Sequence, residues 1–192
     1  MIKLEKNFLR GSYPPVITPF KKGAVDYDTF AELVDYQIRE DSHGILVTGT
    51  SGEPSTLTVE ERGRLYKVAV ETAARRVPVV AATGSQSHAE TVELTKLAER
   101  AGVDALLIVT PYYVRPPQRG LVEYYVDLGR RTDLPIMIYH IPGRAAISLQ
   151  LDTLEKIAEK SPKPVGTEQA GNELRVARGM LARYGFDFRV LV

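Results

Sequence analysis

Residues 45–53, ILVTGTSGE, join an apolar run to a loop of glycines, hydroxyl groups and a carboxylate. The run Ile45–Val47 is typical of a strand that is buried on both faces, as strands of parallel sheets are. The glycines of the loop allow its backbone to approach a ligand closely, and the N–H groups of Thr50 and Ser51 can face a small anion. The stretch therefore predicts a parallel α/β sheet with a binding site where a strand ends.

Apolar runs and segments of helical period alternate along the whole chain, which is typical of βαβ units on a parallel sheet. The predicted strands are Pro15–Thr18, Ile45–Val47, Val77–Ala82, Ala105–Val109, Pro135–Tyr139, Pro164–Glu168 and Phe188–Val192. The predicted helices are 26–40, 58–75, 87–101, 118–131, 149–160 and 172–184. Thr58 with Glu61, and Ser87 with Glu90, fit the capping box that begins many helices.

Two architectures fit this alternation, an open doubly wound sheet and a closed (β/α)8 barrel. The first strand is followed by neither a dinucleotide-binding nor a phosphate-binding glycine motif. The strands recur at a nearly even spacing of about 30 residues, which favours the barrel. The 192 residues predict a single domain, residues 1–192. A full barrel usually needs about 250 residues, so we expect a (β/α)8 TIM barrel that stops at about its seventh strand.

Composition argues against several classes of protein. The net charge is +1 and charges of both signs are interspersed, so the sequence indicates no basic surface for binding nucleic acid or an anionic membrane. The absence of cysteine excludes a disulfide framework, thiolate zinc sites and a cysteine nucleophile. The three histidines are scattered over different elements, so no metal site is expected. The first residues also lack an apolar core for a signal peptide, so the sequence predicts a cytoplasmic protein. No cofactor is expected either.

Three motifs resemble one family when they are taken in order and with their intervals: GTSGE at 49–53, TPYYVRPPQRGL at 110–121 and IYHIPGR at 138–144. The family is that of dihydrodipicolinate synthase and N-acetylneuraminate lyase, and the likeness runs from PVITPF at 15–20 to the last residue. It implies a (β/α)8 barrel that usually assembles as tetramers of tight dimers. Members form a Schiff base between pyruvate and a lysine in strand six, then make or break a carbon–carbon bond to a second carbonyl compound. Some members act on other 2-oxo acids.

The resemblance implies roles for five residues. Thr50 and Ser51 match the hydroxyl pair that binds the pyruvate carboxylate and begins a proton relay. Tyr113 matches a relay tyrosine lent across the dimer interface, and Tyr139 matches the tyrosine that moves protons at the carbonyl group. Arg144 matches the entrance arginine, whose planar fork suits the carboxylate of the second substrate. A tyrosine with a pKa near 10 becomes useful as acid and base only when hydrogen-bonded partners stabilise its charge changes.

The predicted strand Pro164–Glu168 departs from the family. Aligning the VG and the later alanine of VGTEQA, residues 165–170, places Glu168 where the Schiff-base lysine should stand. A carboxylate cannot form an imine, and Lys160 and Lys163 precede the strand, at the opposite mouth of the barrel. Three hypotheses follow: a lyase by descent, a catalytically inactive relative that only binds a small carboxylate or assembles with partners, and a metal-assisted lyase, for which supporting ligands are lacking.

Strand geometry gives two further expectations. The carboxyl ends of parallel strands meet at one face of a barrel, so Thr50, Ser51, Tyr139 and Glu168 should line one cavity. Adjacent strand residues point to opposite faces, so His140 should not share the inward face with Tyr139. Taken alone, Tyr139 also fits a part-buried core tyrosine, and only the matched motifs favour a functional role.

Overall fold

The computed structural model describes residue 1 and residues 3–171 and 174–192 of the chain. A hairpin of β1 (Phe20–Lys21) and β2 (Ala24–Val25) precedes one parallel sheet. The strands of this sheet are β3 (Ile45–Val47), β4 (Val79–Ala82), β5 (Ala105–Val109), β6 (Ile136–His140), β7 (Pro164–Gln169) and β8 (Arg189–Leu191). They pair in chain order from β3 to β8, as the alternation of strands and helices predicts.

Helices connect the strands at nearly the predicted positions. They are α1 (Tyr27–Arg39), α2 (Val59–Ala73), α3 (His88–Ala101), α4 (Gln118–Arg130), α5 (Pro142–Ala145), α6 (Leu151–Lys160) and α7 (Arg175–Tyr184). The short helix α5 was not predicted. Residues 172–173, where the last predicted helix would begin, lie outside the described residues. Among the helices that are described, none is both long and apolar enough to cross a membrane.

Both predicted N-cap residues begin their helices, but only the one before α2 forms the complete capping box that was predicted. Thr58 Oγ1 accepts the N–H of Glu61, and the Glu61 carboxylate accepts the N–H of Thr58, which completes a capping box. Ser87 Oγ accepts the N–H of Glu90 at 3.4 Å. The Glu90 carboxylate lies 3.7 Å from the Arg62 guanidinium, so it is directed toward α2. The two caps fix where the loops after β3 and β4 end.

The helices cover one face of the sheet. Their buried side chains form one apolar cluster with alternate strand residues such as Ile45, Ile108 and Ile138. The other strand residues form a second cluster on the opposite face, around Leu107 and Met137, and none of its described members is helical. A doubly wound sheet carries helices on both faces, so this one-sided cover is that of a barrel-type sheet.

The sheet curves around its helix-free face, which is called the inner face below. β3 and β6 are three positions apart in the sheet, so roughly 14 Å would separate them if the sheet were flat. Thr50 Oγ1, in the loop after β3, nevertheless lies 3.2 Å from the hydroxyl oxygen of Tyr139 in β6. The curvature therefore brings side chains of distant strands together over the inner face.

The N-terminal segment, residues 3–9, packs against the inner face and is hydrogen-bonded to the first residue of β8. The buried Arg189 guanidinium of β8 donates to the carbonyl oxygens of Glu5 and Phe8, each at 3.0 Å, and to that of Phe186. Leu9 is buried in the apolar cluster of the inner face. The segment is thus tied to the last strand of the sheet and packs beneath it.

The predicted first strand, Pro15–Thr18, is present as a single parallel bridge between Pro15 and Leu46 instead of a ladder. The N–H of Val16 donates to the carbonyl oxygen of Leu46 at 3.0 Å. Prolines that flank the bridge have no N–H groups for further pairing. The hairpin β1–β2 that follows was not predicted; Lys22 and Gly23 form its turn with φ angles of 53° and 82°, the left-handed pair that suits a tight hairpin.

Candidate active site

A cavity of about 590 Å³ lies at the carboxyl ends of β3 to β6. The loops after these four strands each contribute a polar side chain to its wall: Thr50 after β3, Ser85 after β4, Tyr112 after β5 and Arg144 after β6. Tyr139, in β6 itself, completes this polar lining. The cavity therefore lies where a barrel of parallel strands carries its chemistry.

Thr50 and Tyr139 form the centre of the site, with their hydroxyl oxygens 3.2 Å apart. Thr50 begins a tight turn that ends at Gly52, and the hydroxyl of Thr18 holds this turn by donating to the carbonyl oxygen of Gly52 at 2.7 Å. Burial raises the pKa of Tyr139 and Glu168 raises it further, whereas Thr50 and Arg144 lower it. The phenol is therefore protonated near neutral pH and can act first as a proton donor.

The register of β6 turns Tyr139 toward the inner face. Met137 and Tyr139 belong to the inner cluster, while Ile138 belongs to the cluster beneath the helices. His140 is buried, and its Nε2 accepts the N–H of Leu149 at 3.0 Å. Its Nδ1 must then carry the proton and donate to Gln169 Oε1, also at 3.0 Å. His140 thus anchors the loop that carries Arg144 and does not face the cavity with Tyr139.

Glu168 lies beside Tyr139 at the same register of the next strand, β7. Burial raises the pKa of Glu168 to about 7. Within the part of the chain that the structure describes, no hydrogen bond or ion pair joins Glu168 to another residue. Its carboxyl group therefore lies beside Tyr139 on the inner face, with no hydrogen bond to any described residue.

The expectation that four residues line one cavity is wrong for two of them. Thr50 and Tyr139 line it, whereas Ser51 and Glu168 do not. Ser51 is the middle residue of the turn Thr50–Gly52, and it does not belong to the cavity wall. Glu168 belongs to β7, one strand beyond the four strands that the cavity covers. Tyr139 is the residue that links the cavity to Glu168.

Tyr113 stands apart from the other predicted site residues. Its side chain is 86% exposed, and its backbone has a φ of 65°. Among the described residues it forms no hydrogen bond with Thr50 or Tyr139. Its neighbour Tyr112 lines the cavity in its place. Because Tyr113 has a left-handed backbone conformation, its side chain and that of Tyr112 point in different directions.

The cavity wall includes two charged helical residues that the sequence did not predict. Arg62 of α2 and Glu90 of α3 both line the cavity. The Arg62 side chain is only 4% exposed, and its Nη2 donates to the carbonyl oxygen of Ala82 at 2.9 Å. Its Nε has no partner among the described residues. Charged helical residues are usually solvated, so their spacing in the sequence gives no signal for this position.

Hydroxyl groups and arginines predominate around Tyr139, and the described residues hold no cluster of metal ligands. Among the described residues, no three His, Asp or Glu side chains are grouped so that they could hold a metal ion. Arg144 offers a carboxylate a planar pair of donors. The Thr50 and Tyr139 hydroxyls can pass a proton between them at 3.2 Å. The arrangement can therefore bind a small carboxylate and move a proton at an adjacent carbonyl group.

Comparison with known proteins gives a consistent match. Residues 8–191 match the family model described as the dihydrodipicolinate synthetase family. The 4-hydroxy-tetrahydrodipicolinate synthase of Thermodesulfovibrio yellowstonii is 38% identical over 95% of this chain and 62% of its own length. That of Rhizobium meliloti is 42% identical over 90% of this chain and 60% of its own length.

Solved structures agree with the sequence match. The crystal structure of dihydrodipicolinate synthase from Aquifex aeolicus superposes with a TM-score of 0.91 at 38% identity. The superposition covers 94% of this chain and 62% of that chain. The present chain thus spans about three-fifths of the length of these relatives.

Proposed function

Because this chain belongs to the dihydrodipicolinate synthetase family, we propose that it supplies much of the active site of a lyase. The lyase joins pyruvate, or a related 2-oxo acid, to a second carbonyl compound, or cleaves such a product. Its relatives are 4-hydroxy-tetrahydrodipicolinate synthases, and the one-sided, curved sheet supports a (β/α)8 barrel as the complete architecture.

The observation that carries this proposal is the 3.2 Å contact between the Thr50 and Tyr139 hydroxyl oxygens. A phenol kept protonated by burial can donate to the carbonyl oxygen of a 2-oxo acid, and the threonine hydroxyl can return the proton. Arg144, on the loop anchored by His140, is placed to hold a carboxylate. These groups together bind the acid and handle the protons of a carbon–carbon bond-forming reaction.

A second candidate is a relative that binds a small carboxylate but forms no Schiff base. The observation that favours it is Glu168, a carboxyl group at the position where the resemblance places the lysine. Imine formation needs a neutral amine close to the substrate carbonyl. Glu168 lies beside Tyr139, which supports its assignment to the lysine position, and a carboxyl group there cannot form an imine.

Turnover by a lysine-bearing variant tests the lyase proposal. The chain is continued with the C-terminal residues of the Thermodesulfovibrio yellowstonii relative that it does not span; this chimera is called the extended protein. With Glu168→Lys, we expect the extended protein to consume pyruvate together with a small aldehyde from a panel. Adding Tyr139→Phe should lower kcat/KM roughly 100-fold, because the proton donor is lost. Tyr36→Phe, at a 48% exposed tyrosine of α1, is the matched control and should change nothing.

Two results would contradict the lyase proposal. One is a folded Glu168→Lys extended protein that turns over no aldehyde of the panel with pyruvate. The other is equal activity with and without the Tyr139 hydroxyl. Binding of pyruvate without turnover would instead support the second candidate.

We further propose that Tyr113 completes the relay of a neighbouring subunit in a homo-oligomer. Its 86% exposure and its direction away from its own cavity support this role. In a full-length relative with the Schiff-base lysine, the tyrosines that match Tyr113 and Tyr139 are changed separately to phenylalanine. Mixing the two inactive proteins should restore about a quarter of the activity, since half of the dimers are hybrids and each hybrid has one intact site. No recovery after confirmed subunit exchange would show that the tyrosine acts within its own chain.

A further inference from the structure

Glu168 and Tyr139 form a carboxyl–phenol pair on the inner face. They are register partners in adjacent parallel strands, and such strands lie about 4.8 Å apart. Both side chains leave the sheet on the same side, because residues opposite each other in neighbouring strands share a face. Because the two groups are close, the charge of Glu168 raises the pKa of Tyr139. A small molecule bound at Tyr139, in the wall of the cavity, can therefore also reach Glu168 on the neighbouring strand.

We propose that this pair catalyses keto–enol tautomerisation of small 2-oxo acids without a Schiff base. Glu168 acts as the base toward the carbon next to the carbonyl group, and Tyr139 donates a hydrogen bond and then a proton to the carbonyl oxygen. Thr50, hydrogen-bonded to Tyr139, stabilises the phenol as its charge changes. The inference rests on the proposed function only in that a 2-oxo acid must bind at this site.

The step is balanced within the pair and its substrate. The Glu168 carboxylate removes a proton from carbon 3 of pyruvate, and the electron pair of that C–H bond forms the C2=C3 double bond. The carbonyl π pair then takes the phenolic proton of Tyr139, which gives the enol and a phenolate. Reversal returns a proton to carbon 3 and restores both side chains, so no co-reactant is consumed. In D2O the Glu168 carboxyl proton exchanges with solvent before reversal, and deuterium enters the methyl group.

The surroundings of Glu168 suit a base that works near neutral pH. Tyr139 faces it from β6, and Arg144 of α5 acts on the pKa of that tyrosine. In β8 the apolar Leu191 is the register partner of Glu168. Arg189, two residues before Leu191, donates its hydrogen bonds to backbone carbonyl groups. Burial is the cause that raises the pKa of Glu168 to about 7. A base is most effective when its pKa lies near the working pH.

Solvent exchange of the pyruvate methyl protons tests the inference on the chain as it stands. The chain is mixed with pyruvate in D2O, and loss of the methyl signal is followed by proton NMR against a buffer blank. We expect Glu168→Gln to slow the catalysed exchange roughly 100-fold and Tyr139→Phe to slow it by a similar factor. Glu168→Asp keeps a carboxylate and should retain part of the rate. Glu71→Gln, a 63% exposed glutamate of α2, is the matched control and should exchange at the unaltered rate.

The pH profile gives a readout that needs no variant. Because the ionised carboxylate is the base, the rate should rise as the pH increases through about 7 and then level off. A rate that does not change with pH between about 5 and 9, after correction for the blank, would overturn the proposal. Exchange at the blank rate, or an undiminished rate in a folded Glu168→Gln variant, would overturn it as well. An exchange activity destroyed by borohydride would assign the chemistry to a lysine amine instead.

The exchange experiment and the turnover experiment can refute their two proposals separately. If the Glu168→Lys extended protein turns over pyruvate while the unaltered chain exchanges no methyl protons, only the tautomerisation is wrong. If the chain exchanges methyl protons while the lysine variant shows no turnover, only the lyase proposal is wrong.

Discussion

Reduction with borohydride in the presence of pyruvate is expected to leave the mass of the chain unchanged. The same treatment of the extended protein with Glu168→Lys is expected to add one reduced pyruvate unit. An imine needs an amine nitrogen, which Glu168 lacks, and burial at this position would lower the pKa of a lysine and provide the neutral amine. The effect is all or none, and intact-protein mass spectrometry followed by peptide mapping measures it.

Controls separate a specific adduct from surface chemistry. The extended protein with Glu168 retained reports on the added C-terminal residues. Glu159→Lys, on the surface helix α6, reports on labelling of an exposed lysine. A stable adduct on the unaltered chain would overturn the placement of Glu168 at the lysine position. An unlabelled Glu168→Lys variant that is folded would remove the Schiff-base chemistry from this site.

Gly166→Ala is expected to lower the free energy of unfolding by about 3 kcal/mol or more, because overpacking of a rigid strand cannot be relieved easily. A Cβ at residue 166 would overlap the carbonyl oxygen of Arg189 in the neighbouring strand and would lie 2.7 Å from Met137 Sδ. Strand β7 would have to move away from β8, and Glu168, two residues later, would move with it. Urea denaturation followed by circular dichroism measures the loss.

Gly143→Ala is the matched control for this substitution. A Cβ at Gly143 meets no atom within 4 Å, and the residue lies in the short helix α5, where alanine is favoured over glycine. Its free energy of unfolding should stay equal to that of the unaltered chain or rise slightly. Equal stability of the two alanine variants would contradict the tight approach of β7 and β8 at residue 166.

The fold could be predicted largely because local and global signals agree in this chain. The buried runs Ile45–Val47 and Ala105–Val109 are strands with the predicted bounds, and the capping box at Thr58 begins α2 as predicted. The hairpin β1–β2 was missed because its strands are only two residues long and the pair Lys22–Gly23 is a weak turn signal. The first strand is shorter than predicted, because the prolines beside its apolar residues lack the N–H groups that a ladder of hydrogen bonds needs.

The sequence indicates candidate site residues only where a recognisable motif lies at the carboxyl end of a predicted strand. Thr50 and Tyr139 were identified from the matched motifs, and the curved sheet brings their hydroxyl oxygens to 3.2 Å from each other. Ser51 was misplaced because the direction of a side chain in a one-turn loop depends on backbone angles that its sequence does not specify. Arg62 was missed because its burial depends on tertiary packing: the first turn of α2 lies against the end of β4, where Arg62 Nη2 donates to the carbonyl oxygen of Ala82.

The attachment of the N-terminal segment to Arg189 has a consequence for the order of folding. Glu5 and Phe8 precede Arg189 by 184 and 181 residues, and contacts at such separations slow folding because a long loop must be closed first. During synthesis the carbonyl groups of the segment find their donor only after β8 has been made. Leu9 and the inner cluster remain open to water during this interval. We therefore expect the inner face to be protected from water late in folding, and a nascent chain that stalls before β8 to be prone to aggregation.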